Sequence, residues 1–491
     1  AKRAWCSGGR ECLDGAGGSL GGSVWRWVGG AGGPAWGPGR VGRGFGGGRP
    51  DGLRGAGGAC GDEAVTGLAA QAGGSFDLGV ASPGIPQFSA FYEAAADASA
   101  ELVSEVEFAW RESAADSRWV AVTGTNGKTT ACALAADVLA GAGLAAAAVG
   151  NIGDPCIEAV AAGRTDVYVA EVSSYQRAST ARFAPNVAVL LNITRDHLHW
   201  HRSFEAYRDA KLKLLANLPG VPGAVGVLDA TNDVGRAEVR RLRALDAGER
   251  GFSYVPLGTA AGLTGDMRAA CGSDNAAFLD ADGTLRVALN GAEHAAARVE
   301  ELQIKGEHNA SNALAVAAAA LALGVHESDV AEGLRTFAPL EHRIEPCGSV
   351  AGVRCYNDSK ATNVDATLKA LAAFPEARPV VLLGGDDKGT DLAPLVAAAH
   401  AHAGAVVCFG DAGERFAAAF EAADAQAPAG FAVARAAHPA DAFDAALALA
   451  SAGDVVLLSP ACASFDEFGS FEERGAAFKT LVADAASALG A

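Results

Sequence analysis

Trp119-Val120-Ala121-Val122-Thr123-Gly124-Thr125-Asn126-Gly127-Lys128-Thr129-Thr130 is the stretch that decides the fold. An apolar run leading into two glycines three apart, then Lys-Thr-Thr, predicts a strand over 119–123, a tight loop and a helix beginning near Lys128. Backbone N–H groups of such a loop converge, and the helix N-terminus behind them adds partial positive charge, so the turn is an anion site. Lys128 would reach the β- and γ-phosphates of a nucleotide, and the Thr129 hydroxyl would ligate Mg2+. The common phosphate loop has a glycine five positions before Gly127, where this chain carries Val122, so the loop is a variant. Gly124, Thr125, Asn126, Gly127, Lys128, Thr129 and Thr130 are its candidate nucleotide contacts.

Outward from the loop the same grammar repeats. From about residue 75, β-branched runs alternate with Ala/Leu-rich stretches, which predicts an α/β fold with mainly parallel strands. Short apolar runs over 167–170 and 187–191 lead into Glu171-Val172-Ser173-Ser174-Tyr175-Gln176 and Asn192-Ile193-Thr194-Arg195-Asp196-His197, while Gly150-Asn151-Ile152-Gly153 precedes both. Each should lie at the C-terminal end of a parallel strand, the edge where ligands bind in open α/β sheets. A hard cation beside phosphates needs oxygen ligands, and Glu171 supplies an anionic one.

Further along, Ile304-Lys305-Gly306-Glu307-His308-Asn309-Ala310-Ser311-Asn312 opens a long helix running through Leu323. Asn309 and Asn312 share one face of its first turn, with amides able to pair with a base edge or to cap the helix. Glu341-His342-Arg343 marks the join to a last domain, and Arg343, always charged, suits a γ-phosphate. Runs over 380–383 and 455–458 enter Gly384-Gly385-Asp386-Asp387-Lys388-Gly389 and Ser459-Pro460-Ala461-Cys462-Ala463-Ser464. Lys388 offers charge for a substrate carboxylate, and Ser464 with the Phe471 backbone offers hydrogen bonds for another. No GxGxxG occurs, so NAD is not implied.

Composition bounds these readings. The chain has 491 residues, half hydrophobic and a fifth charged, with a formal charge of −18 that argues against nucleic-acid or anionic-membrane partners. No 18-residue apolar run exists, so no transmembrane helix is expected. The ten cysteines are scattered without a CxxC pair, which points to a reducing cytoplasm rather than disulfides or zinc.

The average hides a break at residue 60. Residues 1–60 hold 22 of the 63 glycines and 4 of the 7 tryptophans, but only seven Val, Leu, Ile or Phe. They show no 2.0 or 3.6 period and no signal-peptide core, so order is not expected there. Three readings stand: a flexible Gly-rich arm with a faint RGG-like run at 43–49, a small unfamiliar domain, or GC-rich DNA translated out of frame.

Gly124-Thr125-Asn126-Gly127-Lys128-Thr129 is the variant loop of the Mur ligase family, ATP-dependent amide-bond-forming enzymes. The chain resembles that family over roughly residues 75–491, and Tyr356-Asn357-Asp358-Ser359-Lys360-Ala361-Thr362-Asn363 resembles its D-glutamate-adding branch. The resemblance implies three domains: a Rossmann-like N-terminal unit, incomplete here, a central phosphate-loop ATPase with a mainly parallel sheet, and a Rossmann-like C-terminal domain. The expected boundaries are 1–60 (Gly-rich, disordered or out of frame), 61–112 (remnant of the UDP-substrate domain), 113–338 (ATP-binding) and 339–491 (amino-acid-binding).

It further implies that ATP and two Mg2+ ions serve a reaction between UDP-N-acetylmuramoyl-L-alanine and D-glutamate through an acyl phosphate, in a cytoplasmic monomer making peptidoglycan precursors. Glu171 and Thr129 would share one metal. Asn151, His197 and Lys211 would serve the second, with Lys211, in Tyr207-Arg208-Asp209-Ala210-Lys211-Leu212, converted to a carbamate. Asn309 and Asn312 would meet the adenine, Asp358 the ribose, Lys360 the nucleotide and reacting centre, Thr362 the amino acid, and the Gly84 backbone the UDP-sugar. His199 stands where the family has Asp, and Arg195 is a further departure. The alternatives are another Mur-type amide ligase, or an ATP-binding protein inactive through its N-terminal segment.

Overall fold

The computed structural model describes residues 2–7, 23–28, 76–81, 85, 87–163, 165–194, 196, 198–258, 274–387, 389–426 and 431–488. Gly84, Arg195, His197, Lys388 and most of residues 1–60 lie outside them. The chain divides into two compact units, one made of Ala1–Val299 with Ser311–Arg335, the other of Glu300–Ala310 with Thr336–Ala491.

The first unit carries two sheets. Strands β1 (Lys2–Ser7), β2 (Ser23–Val28), β3 (Leu78–Ala81) and β4 (Leu102–Ser104) form one, in the order β2-β1-β3-β4. β1 is antiparallel to β2 and parallel to β3, and β3 is parallel to β4. The first two strands fall where no period is legible in the sequence. Backbone groups make a ladder without a side-chain period, and Trp5, Val24, Trp25, Trp27 and Val28 are residue types that favour strands.

The second sheet is built from β5 (Arg118–Thr123), β6 (Ala146–Gly150), β7 (Val167–Glu171), β8 (Val187–Leu190), β9 (Val225–Asp229), β10 (Ser253–Gly258), β11 (Ala276–Leu279), β12 (Thr284–Leu289) and β13 (Ala292–Arg298). Its order is β13-β12-β11-β10-β9-β8-β5-β7-β6. The pairs from β6 through β11 are parallel, and only the β11-β12-β13 edge is antiparallel. β5 runs between β7 and β8, so the residues leaving all three strands emerge side by side.

Burial fixes that arrangement. Every residue of β7 and β8 is buried, as befits parallel strands covered on both faces. Trp119 on β5 stacks on Tyr168 of β7 at 4.7 Å and meets Phe183 edge-on at 5.7 Å. Three interlocked rings beneath the loop hold its base rigid.

The second unit has a six-stranded sheet of β14 (Glu345–Val350), β15 (Val353–Asn357), β16 (Val380–Gly384), β17 (Ala405–Phe409), β18 (Ala432–Arg435) and β19 (Val455–Ala461). The order is β14-β15-β19-β16-β17-β18, with β14 antiparallel and the others parallel. β19 lies between β15 and β16, which brings the loops after 357, 384 and 461 together. The parallel-dominated α/β class expected from the sequence is the one observed. No helix among the described residues is long and apolar enough to cross a membrane.

Candidate active site

The loop after β5 is pinned from beside and beneath. Thr125 N–H donates to the Asn192 carbonyl at 2.7 Å, and Asn126 N–H donates to Asn192 Oδ1 at 2.9 Å. Thr125 Oγ1 takes the Thr194 N–H at 2.9 Å and lies 2.9 Å from the Tyr207 hydroxyl. The sequence after β8 thus braces the loop after β5. The helix Lys128–Gly141 begins at Gly127, whose φ of 87° is left-handed and favours glycine. A Cβ there would lie 2.6 Å from Asn312 Oδ1, so the glycine also admits the Asn312 amide against the loop.

Two lysines approach this turn. Lys128 Nζ donates to the Thr125 carbonyl at 2.9 Å, and Lys211 Nζ donates to the Gly124 carbonyl at 2.8 Å. Lys211 leaves the helix Phe204–Leu212 and is 2% exposed, with its ammonium 4.8 Å above the Tyr207 ring. Burial, and next the charge of Lys128, push its pKa well below the ordinary lysine range, against the pull of Asp196 and Glu171. A buried amine that sheds its proton is a nucleophile.

Glu171 closes the set. It ends β7, is 2% exposed, and its Oε1 accepts the Asn151 amide at 2.8 Å. Its Oε2 is buried without a hydrogen-bond partner. A carboxylate oxygen in that state wants a cation, so the residues fit a divalent ion beside the phosphate loop.

Among the alternating His197, His199 and His201, His197 and the His199 side chain are outside the described residues. His201 is buried, and its Nε2 lies 2.9 Å from Ser174 Oγ. Its ring meets Tyr207 edge-on at 5.3 Å, so it braces the lysine-bearing helix.

The second unit assembles a separate group. Asp358 follows β15 and is buried; its Oδ1 accepts the Ile344 N–H at 3.2 Å and its Oδ2 the Ser459 hydroxyl at 2.8 Å. Burial raises its pKa to about 7, although those hydrogen bonds and the charges of Arg343 and Arg474 oppose the rise. Lys360 Nζ sits 3.5 Å from the centre of the Phe471 ring, and Ser359 donates its hydroxyl to the Phe471 carbonyl at 2.8 Å. Ser464 is buried in the loop after β19, and Thr362 is half-buried. Asn309 donates its amide to the Lys305 carbonyl at 2.8 Å.

Arg474 was not legible beforehand. It is 1% exposed and donates from Nε to Ser359 Oγ (3.0 Å), from Nη1 to the Ala463 carbonyl (3.0 Å), and from Nη2 to the Ser359 and Cys462 carbonyls (2.8 and 3.1 Å). Glu-Glu-Arg-Gly near the start of a helix gives no local sign that the arginine turns inward to tie two loops.

The sequence model of the Mur ligase middle domain matches residues 122–320, and that of the Mur ligase glutamate ligase domain matches 342–462. The UDP-N-acetylmuramoylalanine–D-glutamate ligase of Alkaliphilus metalliredigens is 37% identical over 411 residues, covering 83% of this chain and 84% of the relative.

The chain belongs to the Mur ligase family.

The Mur ligase of the same name from Thermobifida fusca is 37% identical over 410 residues, 82% of this chain and 83% of its own. Among solved structures, MurF from Acinetobacter baumannii superposes with a TM-score of 0.55 at 19% identity, over 84% of this chain and 91% of that one. MurC from Thermotoga maritima gives 0.53 at 17%, over 84% and 86%. At that identity the likeness is one of fold. Mur ligases are ATP-dependent amide ligases, and this chain is one of them.

Proposed function

We propose that this Mur ligase joins D-glutamate to UDP-N-acetylmuramoyl-L-alanine through an acyl phosphate, releasing ADP and phosphate, as a cytoplasmic monomer. The observation that carries the reading is the meeting of Lys128, Lys211 and the unpartnered Glu171 oxygen at three adjacent strand ends. The names of the relatives supply the two substrates.

A free carboxylate is a poor electrophile, so ATP must first activate it. The alanyl carboxylate oxygen attacks the γ-phosphorus and ADP leaves; the D-glutamate amine then attacks the carbonyl carbon, loses a proton, and phosphate departs. Carboxylate and γ-phosphate repel, and holding them in line is the main task. The loop N–H groups and Lys128 cradle the phosphates, Asn309 and Asn312 take the adenine, and Asp358 the ribose. Arg343 faces the γ-phosphate. Glu171 and Thr129 would hold one Mg2+, with Asn151, His197 and a carbamylated Lys211 holding the second, and the ions would supply positive charge to both reacting anions.

Carbamylation makes chemical sense of a lysine among cations. The amine of Lys211 is buried and pushed toward neutrality, which is the form that adds carbon dioxide, and the product is an anion. Lys360 serves the reacting centre, while Thr362, Lys388, Ser464 and the Phe471 backbone receive D-glutamate. Gly84 faces the UDP-sugar.

Two substitutions test the reading. Lys128→Ala should abolish phosphate release that depends on ATP, UDP-N-acetylmuramoyl-L-alanine and D-glutamate together; retained turnover sinks the assignment of the loop. Lys211→Ala should be inactive and regain part of its rate with added short carboxylates. Full activity without them would exclude the carbamate.

A further inference from the structure

One pair of side chains in the first unit lies outside every role assigned above. Phe88 follows β3 by seven residues, just before Ser89, whose side chain caps the helix Ala90–Asp97. It is 43% exposed, one of the few large apolar residues so placed among the described residues. The guanidinium of Arg202 stands 4.2 Å from the centre of that ring. Arg202 itself is exposed, and no carboxylate among the described residues pairs with it.

The backbone of Arg202 is strained in a telling way. Its φ is +66°, a left-handed conformation that an arginine adopts only at a cost. The preceding residue explains how the strain is held: His201 is buried and locked against Ser174 and the Tyr207 ring. Strain in an exposed residue is retained where the direction of its side chain matters. Here that direction sets a positive charge on an aromatic plate beyond β3.

Both residues sit at ligand edges. Phe88 lies past the C-terminal end of β3, a parallel strand, and Arg202 lies in the segment that follows β8 and leads to Lys211. In the reading proposed above, a substrate whose carboxylate is activated beside Lys211 and whose nucleotide is held at the first sheet spans the elements that carry these two residues. Midway along that substrate is a diphosphate. A planar guanidinium, stacked so that its edge stays open, matches a phosphate's paired oxygens.

We propose that Arg202, seated on Phe88, recognises the diphosphate of the UDP-linked substrate. The proposal rests on the substrate assignment made above. Arg202→Gly removes the charge and the left-handed strain together, so the variant keeps its fold. Binding of UDP-N-acetylmuramoyl-L-alanine to parent and variant, followed by calorimetry, is the test. Arg202→Gly should weaken it about tenfold or more, Arg202→Lys should restore part, and KM for ATP and D-glutamate should stay as in the parent. Equal binding by Arg202→Gly and parent overturns the proposal, as does a parent that does not bind this nucleotide at all. A parent that binds it yet forms no product would count against the ligase reading alone.

Discussion

Asp358 shows what a single buried carboxyl costs. Its pKa rises from the ordinary 3.8 to about 7, chiefly by burial, so the folded chain holds a proton there that the unfolded chain has released. Between those values the folded state binds more protons, and stability is lost as pH rises through the window. The slope is at most about 1.4 kcal/mol per pH unit. Asp358→Asn removes the titration, so the Tm of the variant relative to the parent should climb from pH 4 to pH 7. A Tm difference that does not change with pH would mean that the carboxyl titrates normally.

Loops and helices show how the sites are held. In the first unit one loop braces another through Asn192 and Thr125; in the second a single arginine joins the Asp358–Thr362 loop to the turn after β19. Arg474→Met would leave the Ser359 and Cys462 carbonyls buried without donors, while the Ala463 carbonyl keeps the Asp386 N–H. It should destabilise the protein by about 3 kcal/mol and raise KM for D-glutamate more than KM for ATP. Equal changes in both constants would show that the arginine only supports the fold. The strand–loop–helix elements were readable because their grammar is local: apolar run, glycine, then helix. The helix begins at Lys128 as the twelve residues foretold, and Glu171 ends its strand. Arg474 reaches Ser359, His201 reaches Ser174 and Tyr207 reaches Thr125, partners 27 to 115 residues away in sequence, and no local period records such pairings.

At the scale of the molecule, α/β alternation made the fold class legible. What sequence could not convey is the path of the chain between its two units. The chain passes from the first to the second after Val299, returns after Ala310, and passes again after Arg335, the middle crossing lying inside the helix Glu307–Ala322. That threading has a consequence during synthesis. A nascent chain released from the ribosome as far as residue 299 still lacks the 25 residues, Ser311–Arg335, that complete its first unit. The ATP-binding loop would therefore be made early but would wait for Asn312 to come against Gly127, and for the rest of Ser311–Arg335 to follow.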